Sequence, residues 1–160
     1  MLERILSGGQ TGVDRGALDA ALDAGFPCGG WCPRGRRAED GRIPDRYPLR
    51  ETPSRRYIVR TRRNVAESDG TLVLAWGAPS GGTLATVDSA GRLEKPCLVL
   101  DMSGLDDDAA ASRVRAWIGA EGVAALNVAG PRESGRADAY DRARRVIGLV
   151  LEAGPTRRRA

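Results

Sequence analysis

The chain has 160 residues, a net charge of +4, 21 glycines, three cysteines and no histidine. That length suits one domain with a real core; the missing histidine excludes histidine triads, bases and metal ligands, and Cys28, Cys32 and Cys97 make neither a disulfide framework nor a four-thiolate zinc site, so no protein-ligated metal is expected. No apolar run reaches the roughly 18 residues of a membrane helix, and "MLERILSGG" carries Glu3 and Arg4 where a signal peptide would be apolar, so a cytoplasmic protein is expected.

In chain order, the apolar run at 4–8 predicts a first strand, and "SGGQTGVDRG" (7–16) leads from it into an Ala/Leu-rich helix over 13–24 that stops at Gly25. "PCGGW" (27–31) is the weakest strand candidate. Residues 32–53 are rich in Arg, Gly and Pro, and a loop of that length inside a compact domain is usually functional. A helix is predicted over 54–68 with Ser54 as N-cap. Strands at 71–76, 96–102 and 123–130 then alternate with helices at 82–93, 107–120 and 137–153. The last helix puts Tyr140, Ala143, Ile147, Val150 and Leu151 on one stripe and ends at Gly154–Pro155. The strands at 71–76 and 96–102 are continuous apolar runs, the pattern of strands covered on both faces.

This alternation predicts an α/β fold: a Rossmann-like three-layer sandwich, mainly a parallel sheet of about five strands with helices on both faces. One domain is expected over 1–154, followed by a basic tail at 155–160 that includes Arg157, Arg158 and Arg159.

Ligands of such folds bind outside the carboxyl ends of the strands. There the sequence places Gly8, Gly9, Gln10, Thr11 and Gly12, with Asp14 and Arg15 just beyond. Trp31, Arg34, Gly35, Arg36 and Arg37 follow the second strand, and Ser80, Gly81, Gly82 and Thr83 follow the third. Glycines at a strand-to-helix turn let backbone amides approach an anion at the helix N-terminus. The same glycines also serve a tight turn without a ligand, and "GGQTGVDRG" matches neither the Walker nor the G-x-G-x-x-G pattern. Residues 31–63 hold eleven arginines against four carboxylates, and guanidinium suits bidentate capture of oxyanions. Arg34, Arg36 and Arg37 are the candidates to neutralise a phosphate, and Trp31 and Trp76 to flank a ring, although tryptophan more often packs a core. Trp117 and the cysteines read as core, with Cys32 a candidate ligand contact. Prolines and carboxylates interrupt the basic segment and no nucleic-acid module is present, so nucleic acid is not the expected partner.

Four stretches, "SGGQTGVDRGALDAAL", "GGWCPRGRRAEDGRIPDRYPLRETPSRRYIVRTRRNV", "SDGTLVLAWGAPSGGT" and "LNVAGPRES", together resemble the "putative molybdenum carrier" family. This is the circularly permuted branch of the SLOG group, within the Lonely Guy and lysine-decarboxylase-like Rossmann superfamily. The resemblance covers about residues 1–152. It implies a Rossmann-like subunit that assembles as a homo-oligomer, dimer or tetramer. It also implies a small phosphorylated ligand: molybdenum cofactor, a pterin bearing a phosphate and a molybdenum dithiolene, or a nucleotide. The Lonely Guy branch hydrolyses nucleoside monophosphates with a "GGxGTxxE" signature. Here Gly81–Gly82–Thr83–Leu84–Ala85–Thr86 lacks the glutamate, which favours a carrier over a hydrolase, with Glu39, Asp40 and Asp14 as the substitute carboxylates.

Overall fold

The structure, a computed structural model, describes residues 1–152. The basic tail and the Gly154–Pro155 stop lie outside the described residues.

Five parallel strands make the main sheet: β1 (Arg4–Leu6), β2 (Cys28–Gly29), β7 (Gly70–Ala75), β8 (Cys97–Asp101) and β9 (Ala125–Ala129), in the order β2-β1-β9-β7-β8. The helices α1 (Val13–Asp23), α4 (Asp107–Glu121) and α5 (Ala139–Glu152) pack against one another on one face, and α2 (Tyr57–Glu67) and α3 (Gly81–Arg92) on the other. This is the expected α/β Rossmann-like sandwich. β7 explains its continuous apolar sequence directly, because all six of its residues are buried under helices on both sides. The core runs through Ile5, Leu72, Leu74, Leu126 and Val128 of the sheet to Val114, Val146 and Ile147 of the helices. Of the α5 stripe, Ala143, Ile147 and Val150 are buried, while Tyr140 and Leu151 sit half-buried at its margins. Trp117 packs half-buried against the core near Gly70, where a Cβ would come within 2.9 Å of its ring. Among the described residues no helix is long and apolar enough to cross a membrane.

The helix expected from Ser54 begins at Tyr57 instead. Ser54 Oγ accepts the Arg56 amide at 3.1 Å, closing a local turn before the helix starts. Its counterpart at α4 is a true cap: Asp106 accepts the Ala109 amide at 2.7 Å.

The segment 32–53 differs from the irregular loop its composition predicts. It folds into a parallel pair, β3 (Trp31–Cys32) with β6 (Arg50–Glu51), and a hairpin of β4 (Arg37–Ala38) and β5 (Gly41–Arg42) turned at Glu39–Asp40. Cys32, Ala38, Ile43, Tyr47 and Leu49 bury themselves against Leu18 of α1 as a satellite core. Two-residue strands have no periodicity to detect, so composition alone reads them as coil.

Candidate functional site

Because every strand of the main sheet is parallel, all their carboxyl ends open on one edge. At the centre of that edge, beyond β1, β9 and β7, lies a cleft of about 720 Å³, within the range of small-molecule sites. Its walls are Gln10 of the β1–α1 turn, Asp14 in the first turn of α1, Tyr57, Arg60 and Thr61 of α2, residues 78–83 at the start of α3, and residues 130–132 and 134–136 of the β9–α5 loop, with Trp76 at the end of β7.

The N-terminus of α3 is bare. Ser80 occupies the cap position without a side-chain hydrogen bond, and no carboxylate stands in the first turn. A helix start in this state has free amides and an uncompensated positive dipole end.

The floor is a buried ion pair. Asp14 is 4% exposed and accepts the Gln10 amide at 3.1 Å and Arg60 Nη1 at 3.2 Å. Burial raises its pKa above the usual carboxylate value, and Arg60 offsets this only in part. Arg60 reaches the floor by lying over Gly8, where a Cβ would fall 1.7 Å from its Nη1, so this glycine serves a side chain's passage. Among the described residues four buried side-chain nitrogens lack a partner, and three belong to cleft residues: Gln10 Nε2, Arg60 Nε and Trp76 Nε1. All three are donors. Arg136 sits 5.1 Å over the Trp76 ring and Arg132 5.5 Å over Tyr57, so three guanidiniums and one carboxylate, Asp14, line the cleft. Its chemistry is that of a donor-rich site for an acceptor-rich, anionic guest.

Of the residues singled out from sequence, Gln10, Asp14, Ser80, Gly81, Gly82 and Thr83 line this cleft, and Gly8 lies behind Arg60. The others stand elsewhere. Gly9 packs on Ile43 and Leu49, and Gly12, at φ 80°, lies where a Cβ would meet the Pro131 carbonyl at 2.4 Å. Thr11 donates to Glu39 and accepts the Glu133 amide at 3.1 Å. Arg15 donates to the Gly9 carbonyl at 3.0 Å and pairs with Asp40. Arg36 is 8% exposed and gives its guanidinium to the carbonyls of Ile43, Pro44, Tyr47 and Leu49 at 2.8–3.2 Å, which holds the satellite core together. Trp31 is gripped between Arg50 and Arg63, whose guanidiniums lie 4.3 and 4.0 Å from its ring, away from the cleft. Arg34, Gly35 and Arg37 are exposed outside it, and Cys32 is buried in the satellite core. Among the described residues no cysteine lines the cleft and no cluster of potential metal ligands exists.

The substitute carboxylates are engaged too. Glu39 takes bonds from Thr11 and from the Ser134 amide (3.2 Å) and hydroxyl (2.5 Å); burial pushes its pKa up, but these donors and Arg132 bring it below the usual value. Asp40 is held low first by its hydrogen bonds from Arg15.

Sequence reading missed Tyr57, Arg60, Arg132 and Arg136. For Arg60 a signal existed: Tyr57, Arg60, Thr61, Asn64 and Val65 follow i, i+3, i+4, i+7, i+8, and an arginine on that inward stripe needs a buried partner.

A crystal structure from Syntrophus aciditrophicus SB, named "Putative molybdenum carrier protein", is 40% identical, with a TM-score of 0.91 over 94% of this chain and 95% of that one. A search of curated proteins gave no match. Residues 5–151 match the circularly permutated YpsA SLOG family, and the chain belongs to that family.

Proposed function

We propose that this protein carries a small phosphorylated heterocycle in the cleft, with molybdenum cofactor as the leading candidate cargo and a nucleotide as the next. The observation that carries this reading is the bare α3 N-terminus facing Arg60, Arg132 and Arg136 across one cavity. Ser80, Gly81, Gly82 and Thr83 would take the phosphate through backbone amides and hydroxyls. The name of the 40%-identical structure supports a molybdenum-related cargo. With no thiolate in the cleft among the described residues, the phosphate is the end this protein would grip, and the metal end of the cofactor would keep its own ligands. Homo-oligomeric assembly and a cytoplasmic location belong to the same reading, and native mass spectrometry of protein from its own host reports cargo mass and subunit number together.

Gly82→Asp tests the site. A Cβ at Gly82 meets nothing within 4 Å, and a first-turn carboxylate favours the helix dipole, so the fold should be kept. The same charge repels an anion at the helix start. Calorimetric affinity for phosphorylated probes should fall by about tenfold or more with no loss in Tm; unchanged affinity in a folded variant would contradict the assignment.

The second reading is a nucleoside monophosphate N-glycosidase. Asp14 is the one carboxylate among the described residues lining the cleft, it is buried, and its Oδ2 already accepts two hydrogen bonds. General acid–base work needs a carboxylate free to approach the reacting atoms, which favours holding over cutting. Release of free base from a nucleoside monophosphate, lost in Asp14→Asn, would reverse that preference.

A further inference from the structure

Each of the three guanidiniums of the cleft has a carboxylate. Arg60 pairs with Asp14 at 3.2 Å, Arg132 with Glu39 at 3.8 Å and Arg136 with Asp138 at 2.5 Å. An anionic guest therefore meets side chains whose charges are balanced, and every guanidinium it engages is shared with a carboxylate. The three carboxylates are not alike. Burial pushes the Glu39 pKa up, but hydrogen bonds from Ser134 and Thr11 and the charge of Arg132 bring it below the usual value. Hydrogen bonding from Arg136 holds Asp138 low as well. Neither of these two lines the cleft. Asp14 does, at 4% exposed, and burial raises its pKa against the pull of Arg60.

Behind the cleft the surroundings of Asp14 supply no second charge. Arg60 of α2 is the charged neighbour there, while Ser7 of β1, Asn64 of α2, Thr86 of α3 and Asn127 of β9 are neutral. On the cleft wall the remaining titratable groups are Tyr57 of α2 and Arg132 and Arg136 of the β9–α5 loop. The chain has no histidine, so among the described residues no other side chain of the cleft titrates between about pH 5 and about pH 8. An anion entering the cleft adds a like charge beside a carboxylate largely shielded from water, which disfavours the ionised form further. A proton from solvent on a carboxyl oxygen removes that repulsion and leaves the whole charge of Arg60 to the guest. Resting on the reading of the cleft as an anion site, we infer that Asp14 is a proton-binding site coupled to the guest, so that the cleft takes up a dianion together with one proton. Asp14 without the guest has the lower pKa and Asp14 beside it the higher. Affinity therefore rises as pH falls through the guest-bound value and levels off below the guest-free one.

The test titrates adenosine monophosphate and inorganic sulfate into wild type and Asp14→Asn from about pH 8 to about pH 5. The asparagine keeps an oxygen to accept the Gln10 amide and Arg60, so the fold should survive, which Tm checks. At about pH 8 Asp14→Asn should bind adenosine monophosphate about tenfold or more tightly than wild type, the effect of one pKa unit of repulsion. That ratio should shrink to about twofold as pH falls to about 5. The phosphate's own protonation, at about pH 6, enters both proteins alike and cancels from the ratio. Sulfate needs no variant, because it stays a dianion throughout this range. Wild type should take up a proton on binding it, read by calorimetry in two buffers of different ionisation enthalpy. An affinity ratio that stays constant with pH, or sulfate bound without proton uptake, would overturn the proton site while leaving the cleft reading standing. Failure of both probes to bind wild type would overturn both.

Discussion

Two arginines of one segment show how far a side chain's neighbours decide its task. Arg60 is charge-matched by Asp14 and faces the cleft, whereas Arg36 spends its donors on four carbonyls of its own segment. Replacing Arg36 by Ala removes the side-chain donor from all four carbonyls, of which those of Pro44 and Tyr47 keep only the amides of Tyr47 and Leu49, and should cost about 2–4 kcal/mol in urea unfolding. Lysine should rescue little, because an ammonium on a flexible stem cannot reproduce a planar fork that reaches four acceptors. Affinity of the folded fraction for pyrophosphate should not change. A folded, fully stable Arg36→Ala that loses affinity would instead place Arg36 at the ligand. Its type and position in "PRGRR" were plain from sequence, but its direction depends on a backbone turn at φ 53° that no local pattern announces.

At the scale of elements, the hairpin β4–β5 acts as a strut for the cleft wall. Glu39 at its turn binds Thr11 of the first loop and Ser134 of the β9–α5 loop, and Arg15–Asp40 fastens the other side. Glu39→Ala frees the Ser134 amide and the loop that carries Arg132 and Arg136. Hydrogen exchange of residues 131–136 should therefore accelerate about tenfold or more while strands β7 and β9 stay protected. Unchanged exchange in that loop would show that Pro131 and the α5 N-terminus hold it without the strut. The long Pro/Gly/Arg-rich insertion was legible as something unusual; that it is a folded prop rather than a lid was not, because its order comes from contacts with α1 and the distant 130–136 loop.

For the whole molecule, stability against acid should rest on carboxylates shared between elements. Asp107 in the first turn of α4 accepts Arg142 and Arg145 of α5, both at 2.5 Å, with 16% of its side chain exposed. Burial pushes its pKa up, but the hydrogen bonds from Arg145 and Arg142 and their charges outweigh burial and hold it below the usual value of 3.8. Its folded-state pKa is thus below its unfolded one, so its contribution is complete above pH 3.8 and is lost as pH falls through the lower folded value. Asp107→Asn should lower stability at pH 7 by about 1–3 kcal/mol. The gap from wild type should close as pH drops below 3.8. A gap that persists in strong acid would mean that the asparagine disturbs packing rather than charge.

The order of strands and helices was determined by the sequence alone, because apolar runs and helical stripes are local and each strand of the main sheet has only a few residues between turn signals. So was the edge on which the cleft opens, since parallel strands send all their carboxyl ends one way. The "SGGT" start of α3 could be placed at the cleft for the same reason. Which arginines face that cleft was decided only by the tertiary structure. A guanidinium has no intrinsic preference between a backbone carbonyl, an aromatic face and a ligand phosphate. Its partner is whatever the packing of α2, the hairpin and the β9–α5 loop brings within reach, and those elements are separated by tens of residues along the chain.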